Sequence, residues 1–345
     1  MFVHQDAAQG LLRKYAGESV DAVHGHALLP YVAARRLYAG KAVTSFSVHS
    51  PVRDEFRATA RLAGPIERLR LRVAGELLHR FERECLEGSD YVTAESEFTR
   101  ALLQKGHGSR LGDRARVIPG WVDDRFRPAT DRGAEKAQLG LPDDRPTLFT
   151  LRRLVPRMGL DLLLWACGRL ARRGRTFCLA IAGEGPLRSL LEAQVRKEGL
   201  GEIVVFLGRV SDADLPRWYA AADAFVLPTS ALECFGLIAL EAMASGRPVL
   251  ATPAGAIPEV VGRFEPAWLA REVSVDALEE VLEKYLAGEL PEHDPARLHE
   301  AVVREFGYAN VLPRLVEATL GDAARDREPS GGLRPRDRNR TAGSV

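Results

Sequence analysis

Cysteine is rare in this chain and follows no pattern. The four thiols, Cys85, Cys167, Cys178 and Cys234, form no C-x-x-C pair. That excludes a disulfide framework or a zinc ribbon and reads as buried thiols in a reducing compartment. No apolar run approaches the ~18 residues that a membrane span requires. The opening MFVHQDAAQG has the pattern of neither a signal nor a transit peptide, so a cytoplasmic location is expected. An excess of one charge is also missing. At a net charge of +1, nothing global favours nucleic acid or an anionic surface as a partner. No G-x-G-x-x-G follows a strand-like run, which argues against a dehydrogenase. No internal repeat is visible.

What the chain does contain is apolar mass and regular alternation. Its 345 residues, 46% hydrophobic and 28% charged, suit a soluble α/β protein of two domains. In the C-terminal half, β-type runs at 147–151, 177–183, 203–206, 224–228 and 248–252 alternate with helical stretches that close on glycine. This spacing predicts βα units and a doubly wound parallel sheet, whose ligands sit beyond the carboxyl ends of the strands. The N-terminal half is sparser, with candidate strands at 21–26, 42–48, 91–96 and 115–119. We expect an N-terminal domain over 1–128, a second over 129–305, a closing helix over 306–320 and a disordered tail over 321–345.

The chemistry-bearing residues fall on the predicted ligand edge. In LECFGLIALEAMASG, Phe235, Gly236 and Leu237 open a helix ending near Ser245, with Gly246 as its stop. Unpaired N–H groups and the positive dipole end make such a start an anion site, and glycine lets a ligand approach the backbone. Glu233 and Glu241 flank it. Each carboxylate can accept from both hydroxyls of a vicinal diol, so the set suits a diphosphate with polyols at both ends. The plainer reading is two acids offsetting a helix dipole. The loop LRRLVPRMG offers Arg153 as a planar fork for phosphate, or else is a solvated turn. AGEGPLRSL is a phosphate-cradling turn at Gly183 and Gly185 or an ordinary βα turn.

Read together from residue 147 to 262, these loops resemble the family-4 retaining glycosyltransferases of GT-B architecture. RRLVPRMGLDLLLWA, LAIAGEGPLRSLLE and the stretch around the E-x7-E pair match that family's donor domain phrase by phrase. VIPGWVDDRFRP resembles its interdomain segment, with Gly120-Trp121 in place of Asn-Gly, and REFGYANVLPRLVEATL resembles its closing helix. The resemblance implies two Rossmann-like domains and transfer of a sugar from a nucleotide-diphosphate sugar to a hydroxyl of a glycan, glycolipid or small molecule. It places Glu233 at the donor sugar, Glu241 at the ribose, and the backbone of Phe235, Gly236 and Leu237 at the diphosphate. Arg153 stabilises the leaving group, Gly183 and Gly185 line the donor cleft, Arg209 and Val210 lie near the base, and His49 reaches the transferred sugar. No cofactor and no metal are implied.

Two departures shape the expectations. Met158 stands where the family often has lysine, with Arg152 or Arg157 as the substitute cation. About 20 residues precede DAVHGH, where the family has a first strand, a glycine-rich loop and further βα units. The N-terminal domain is therefore expected to be incomplete at its start. The alternative function is a catalytically impaired remnant that binds nucleotide as a scaffolding module. Two smaller signals remain. His24, His26 and His49 are either a metal cluster or strand-end histidines near a sugar. The basic helix over 65–84 either touches anionic lipid at the inner membrane surface or faces the core with a solvated basic side.

Overall fold

The computed structural model describes residues 20–60 and 64–321. The expected tail, apart from Gly321, and the first 19 residues lie outside that range. Two parallel sheets carry the fold. The first contains β1 (Ala22–Gly25), β2 (Val43–Val48), β3 (Tyr91–Ala94) and β4 (Ala115–Val117), paired in sequential order. Its crossovers are α1 (Leu28–Tyr38), then α2 (Val52–Ala60) with α3 (Pro65–Gly88), then α4 (Glu97–His107) with the short α5 (Ser109–Gly112). A small core fills it, centred on Tyr31, Phe46, Val92, Leu86 and Leu103.

After α6 (Arg132–Gln138) comes the larger sheet: β5 (Thr147–Leu151), β6 (Cys178–Ala182), β7 (Val204–Gly208), β8 (Ala224–Leu227) and β9 (Val249–Ala251), in the order β7-β6-β5-β8-β9. Four of its strands are short apolar runs, and β5 adds Thr147 and Thr150, which are buried as well. Every residue of β6 is buried, as expected of a parallel sheet covered on both faces. The covering helices are α7 (Leu160–Arg172), α8 (Arg188–Glu198), α9 (Leu215–Ala221), α10 (Leu237–Ala244), α11 (Ile257–Val260) and α12 (Val275–Leu286). The strand order reverses at β5. A crevice therefore opens between the loops leaving β5 and β8, where ligands of such sheets bind.

α13 (Pro295–Phe306) packs against α10, and α14 (Tyr308–Leu320) returns to pack on β2 and β3 of the first sheet. The connection between the lobes is double. Val122 donates its N–H to Phe306 O at 2.8 Å and forms a parallel bridge with Gly307. Further bonds join the lobes at the carboxyl edges of their sheets. Ser96 Oγ donates to Cys234 O at 2.5 Å, and Glu259 accepts the first N–H groups of α4, from Glu97 at 2.9 Å and Phe98 at 2.7 Å. A carboxylate there meets both unpaired donors and the positive end of the helix.

α3 departs from the ordinary amphipathic pattern. Its buried face is built from Gly75, Glu82, Cys85 and Leu86. Its regular apolar stripe, Ile66, Leu69, Val73 and Leu77, points to solvent at 54–73% exposure. At 24 residues the helix runs about 36 Å, against roughly 13–20 Å for the strands it accompanies. Its first turns, 64–70, are exposed on every side. The core-facing alternative for this helix therefore holds only for its second half.

Candidate active site

The loops that leave β2, β5 and β8 meet in a cleft between the two lobes. It holds a cavity of about 280 Å3 lined by His49, Glu55, Glu95, Arg157, Glu233 and Gly236, among others. A larger cavity of about 590 Å3 opens at the same junction towards α13 and α14. Its charged walls include the Arg263–Glu305 ion pair, and among the named candidates only Phe235 reaches it. The smaller cavity is the one that gathers the chemistry.

Glu233 is set by a strained turn and a buried cation. Leu232 before it has φ +55°, a left-handed conformation that non-glycine residues seldom adopt outside functional loops. The carboxylate accepts from Arg152 Nη2 and from Thr229 Oγ1. Arg152 itself is 7% exposed and also bonds Thr229. The two adjacent arginines thus split: Arg152 turns inward to hold Glu233, while Arg153 stays solvent-facing at the cleft edge, 4.0 Å from Glu55 of α2. Arg157 takes the cleft position next to it, bonding Glu55 at 2.9 Å and Leu232 O at 3.2 Å. Met158, where the family often has lysine, is buried.

Gly236 adopts φ +90° at the start of α10, and a Cβ there would meet Ile257 Cδ1 at 2.8 Å. The positive φ demands glycine, the methyl contact adds a smaller cost that Ile257 can relieve by moving, and the helix opens with bare backbone next to Glu233. Phe235 beside it is buried, and Leu237 is exposed. One turn further in, Glu241 accepts the Tyr219 hydroxyl at 2.9 Å. Burial pushes its carboxyl up to about 7, against the downward pull of that hydrogen bond and of Arg125. Arg125 also reaches Asp212 O at 3.2 Å, so Glu241 faces the loop after β7.

Arg153, Gly183, Gly185, Glu241, Arg209 and Val210 do not line the 280 Å3 cavity. Arg209 is exposed and Val210 half-buried, just past β7. The glycines have a structural duty of their own. A Cβ on Gly183 would sit 2.0 Å from Arg152 O, and one on Gly185 would sit 2.5 Å from Leu154 O. The loops after β5 and β6 therefore lie backbone on backbone, joined by Leu154 N–H to Glu184 O at 2.8 Å. The glycines are required there whatever binds.

On the first lobe, His49 closes β2 with both ring nitrogens engaged: Nδ1 lies 2.7 Å from Glu95 Oε1 and Nε2 lies 2.9 Å from His26 Nδ1. The hydrogen bond to Glu95 raises the His49 pKa above its ordinary value, while burial lowers that of His26. His24 turns into the sheet, its nitrogens against Ser45 and Ser47 at 2.6 and 3.2 Å, and burial pulls it down to about 4. With its nitrogens committed to serine hydroxyls, His24 does not complete a metal triad. Glu55, Glu95 and Tyr219 are the site residues that the sequence left without a role. Arg152 and Arg157 entered only as substitute cations for phosphate, and Arg152 instead holds Glu233. Only the two arginines had a signal, their place in an arginine-rich loop.

Two families match the chain. The one described as “Glycosyl transferases group 1” matches residues 131–302, and “Glycosyltransferase Family 4” matches residues 4–126. The chain is 33% identical over 246 residues to a GDP-mannose-dependent alpha-(1-6)-phosphatidylinositol monomannoside mannosyltransferase from Mycobacterium tuberculosis, covering 69% of this chain and 62% of that protein. It is 30% identical to a 2-deoxystreptamine glucosyltransferase from Streptomyces kanamyceticus, covering 68% and 62%. The matched part therefore spans about three-fifths of these relatives. Among solved structures, a sucrose-phosphate synthase from Thermosynechococcus elongatus superposes with a TM-score of 0.73 at 25% identity, covering 93% of this chain and 77% of that one. The catalytic domain of starch synthase IV from Arabidopsis thaliana, bound to ADP and acarbose, has the same fold with a TM-score of 0.67 at 21% identity, covering 94% and 76%.

Proposed function

Since the chain belongs to the family-4 glycosyltransferases of GT-B fold, we propose that it transfers a sugar, with retention of configuration, from a nucleotide-diphosphate sugar to an acceptor hydroxyl. The observation that carries this reading is the junction of Glu233 with the bare start of α10 at the switch point of the larger sheet. Glu233, held by Arg152 and Thr229, offers an acceptor oxygen to sugar hydroxyls. The N–H groups after Gly236 receive the diphosphate, and Glu241 takes the ribose hydroxyls. Arg153 and Arg157 face the departing phosphates.

The reaction then needs electrostatics more than covalent chemistry. The bond between the sugar's anomeric carbon and the phosphate oxygen breaks with oxocarbenium character, while arginines and backbone dipoles stabilise the negative charge on the diphosphate. The acceptor oxygen attacks from the same face, and its proton passes to the departing phosphate oxygen. No metal ion is assigned a part in this chemistry. On this reading His49 meets the transferred sugar from the opposite lobe, which its position on the cavity wall supports. GDP-mannose is the first donor to assay, given the relatives named above.

We place the acceptor side at the cytoplasmic surface of an anionic membrane. The exposed stripe of α3, flanked by Arg68, Arg70, Arg72 and Arg80, has the apolar face and basic margin of an interfacial helix. No helix among the described residues is long and apolar enough to cross a membrane.

Calorimetry of the folded chain against UDP, GDP and ADP tests the donor site. Affinity for one of them is expected, and affinity for none sinks the assignment. A donor screen read by mass spectrometry then tests turnover. Nucleotide binding without transfer to any acceptor would support a binding module instead.

A further inference from the structure

Behind the cleft, three helices of the first lobe meet at a compact group of metal-binding side chains. His79 and Glu82 lie one turn apart on α3 and share a face, and His107 is the last residue of α4. The side chains of Glu82 and His107 are each 1% exposed, and that of His79 is 14% exposed. His107 Nε2 sits 2.8 Å from Glu82 Oε2, and His79 Nδ1 sits 3.7 Å from the same oxygen. The ligand atoms of all three lie within 4.8 Å of one another. His79 Nδ1 is buried without a hydrogen-bond partner. Glu82 uses its other oxygen to accept Val52 N–H, at the start of α2, at 2.9 Å.

We propose that His79, Glu82 and His107 bind a divalent transition-metal ion, zinc by their donor set, as a clasp between α3 and α4. Two imidazoles and a carboxylate are the ligands that zinc takes with nitrogen and oxygen, and a fourth, tetrahedral position goes to water. Bonds of about 2.0–2.1 Å imply ligand–ligand edges of roughly 3.3 Å. The observed 2.8 and 3.7 Å separations straddle that value, so small opposite shifts in one carboxylate and one ring complete two edges. A resident cation also answers an electrostatic question. A carboxylate this deep needs a compensating charge, and the neighbouring guanidinium, Arg53, lies towards Glu76 at 3.7 Å. The bond from Val52 links the clasp to the start of α2, the helix that carries Glu55 into the cleft.

The test uses the full chain, stripped by a chelator and titrated with zinc in a calorimeter, then with cobalt(II) in a spectrometer. One ion per chain is expected, with cobalt bands of tetrahedral nitrogen–oxygen ligation and a higher unfolding temperature with zinc than without. His79→Gln, at the edge of the cluster, is expected to keep the fold by circular dichroism and lose both effects, whereas His26→Ala keeps them. Absence of one-to-one binding in the unaltered chain overturns the proposal. So does binding that survives His79→Gln or vanishes in His26→Ala, or a thiolate charge-transfer band, which places the ion on a cysteine.

Discussion

Arg152 and Arg153 are neighbours in sequence and opposites in role. Arg152→Ala leaves Glu233 in a largely enclosed site without its cation, and we expect a loss of about 3 kcal/mol in unfolding free energy. Arg153→Ala, on an exposed side chain, should leave stability within about 0.5 kcal/mol. It should instead slow sugar transfer roughly 10- to 100-fold, through one lost charge-assisted contact. Urea titration and initial rates of the two variants separate these effects, and equal stability losses would contradict the assignment. The stretch LRRL does not reveal this division. Two arginines at a strand exit point to opposite sides, and only the packed structure decides which side is inside. Gly183 and Gly185 were legible as glycines with a purpose, but the loop against which they pack is a backbone neighbour that no local pattern announces.

Glu241 makes a second prediction at this scale. Burial pushes its free carboxyl up to about 7, and on the proposed reading the ribose hydroxyls donate better to the carboxylate than to the acid. Binding therefore draws the pKa down and releases a proton in the interval between the bound and free values. Nucleotide affinity should hold steady above pH 7 and weaken as pH falls through it, by up to about tenfold per unit. Tyr219→Phe removes a hydrogen bond that lowers the pKa, so the fall should begin at higher pH. Dissociation constants measured across this range decide it. A flat profile through neutrality would mean that Glu241 does not touch the nucleotide.

Among the elements, the strands of the larger sheet were plain in the sequence because each is a short run rich in apolar residues with glycine, proline or charge close to its ends. α3 was legible as a helix over 65–84, but the face it buries was not, and the reason is physical. Its apolar period at 66, 69, 73 and 77 reads as a core face, yet the core is met by Gly75, Cys85, Leu86 and the buried Glu82. Glycine and a paired acid carry no apolar signal, so periodicity points to the wrong side. The misplaced stripe leads to a direct test. Leu69→Glu and Val73→Glu alter only exposed positions and should leave stability within about 0.5 kcal/mol. Co-sedimentation with vesicles rich in phosphatidylglycerol should fall several-fold, while uncharged vesicles retain little of either form. Unchanged sedimentation would remove the membrane from the acceptor side.

For the whole molecule, two α/β lobes were legible from alternation alone, whereas the contacts that close them were not. Ser96 and Cys234 meet across 138 positions of sequence, and Glu259 meets the start of α4 across more. Nothing local marks such pairs. Glu259 fastens the lobes through a helix end, so Glu259→Ala should loosen closure. Small-angle scattering is expected to show a larger radius of gyration, with transfer slowed and nucleotide affinity within about twofold of the parent, because the donor loops all belong to one lobe. An unchanged radius would place the closing force elsewhere.

Glu55 belongs to one lobe and its partner Arg157 to the other. On the proposed donor reading, the resting protein already carries a counter-ion for the cations that will grip the diphosphate. Donor arrival is then an exchange of anions, carboxylate out and phosphate in, with little change in the charge of the cleft. Added salt should weaken such an exchange less than the arginines alone imply. The same swap that seats the donor releases one tie between the lobes, so the molecule loosens on the acceptor side at the moment it has something to transfer.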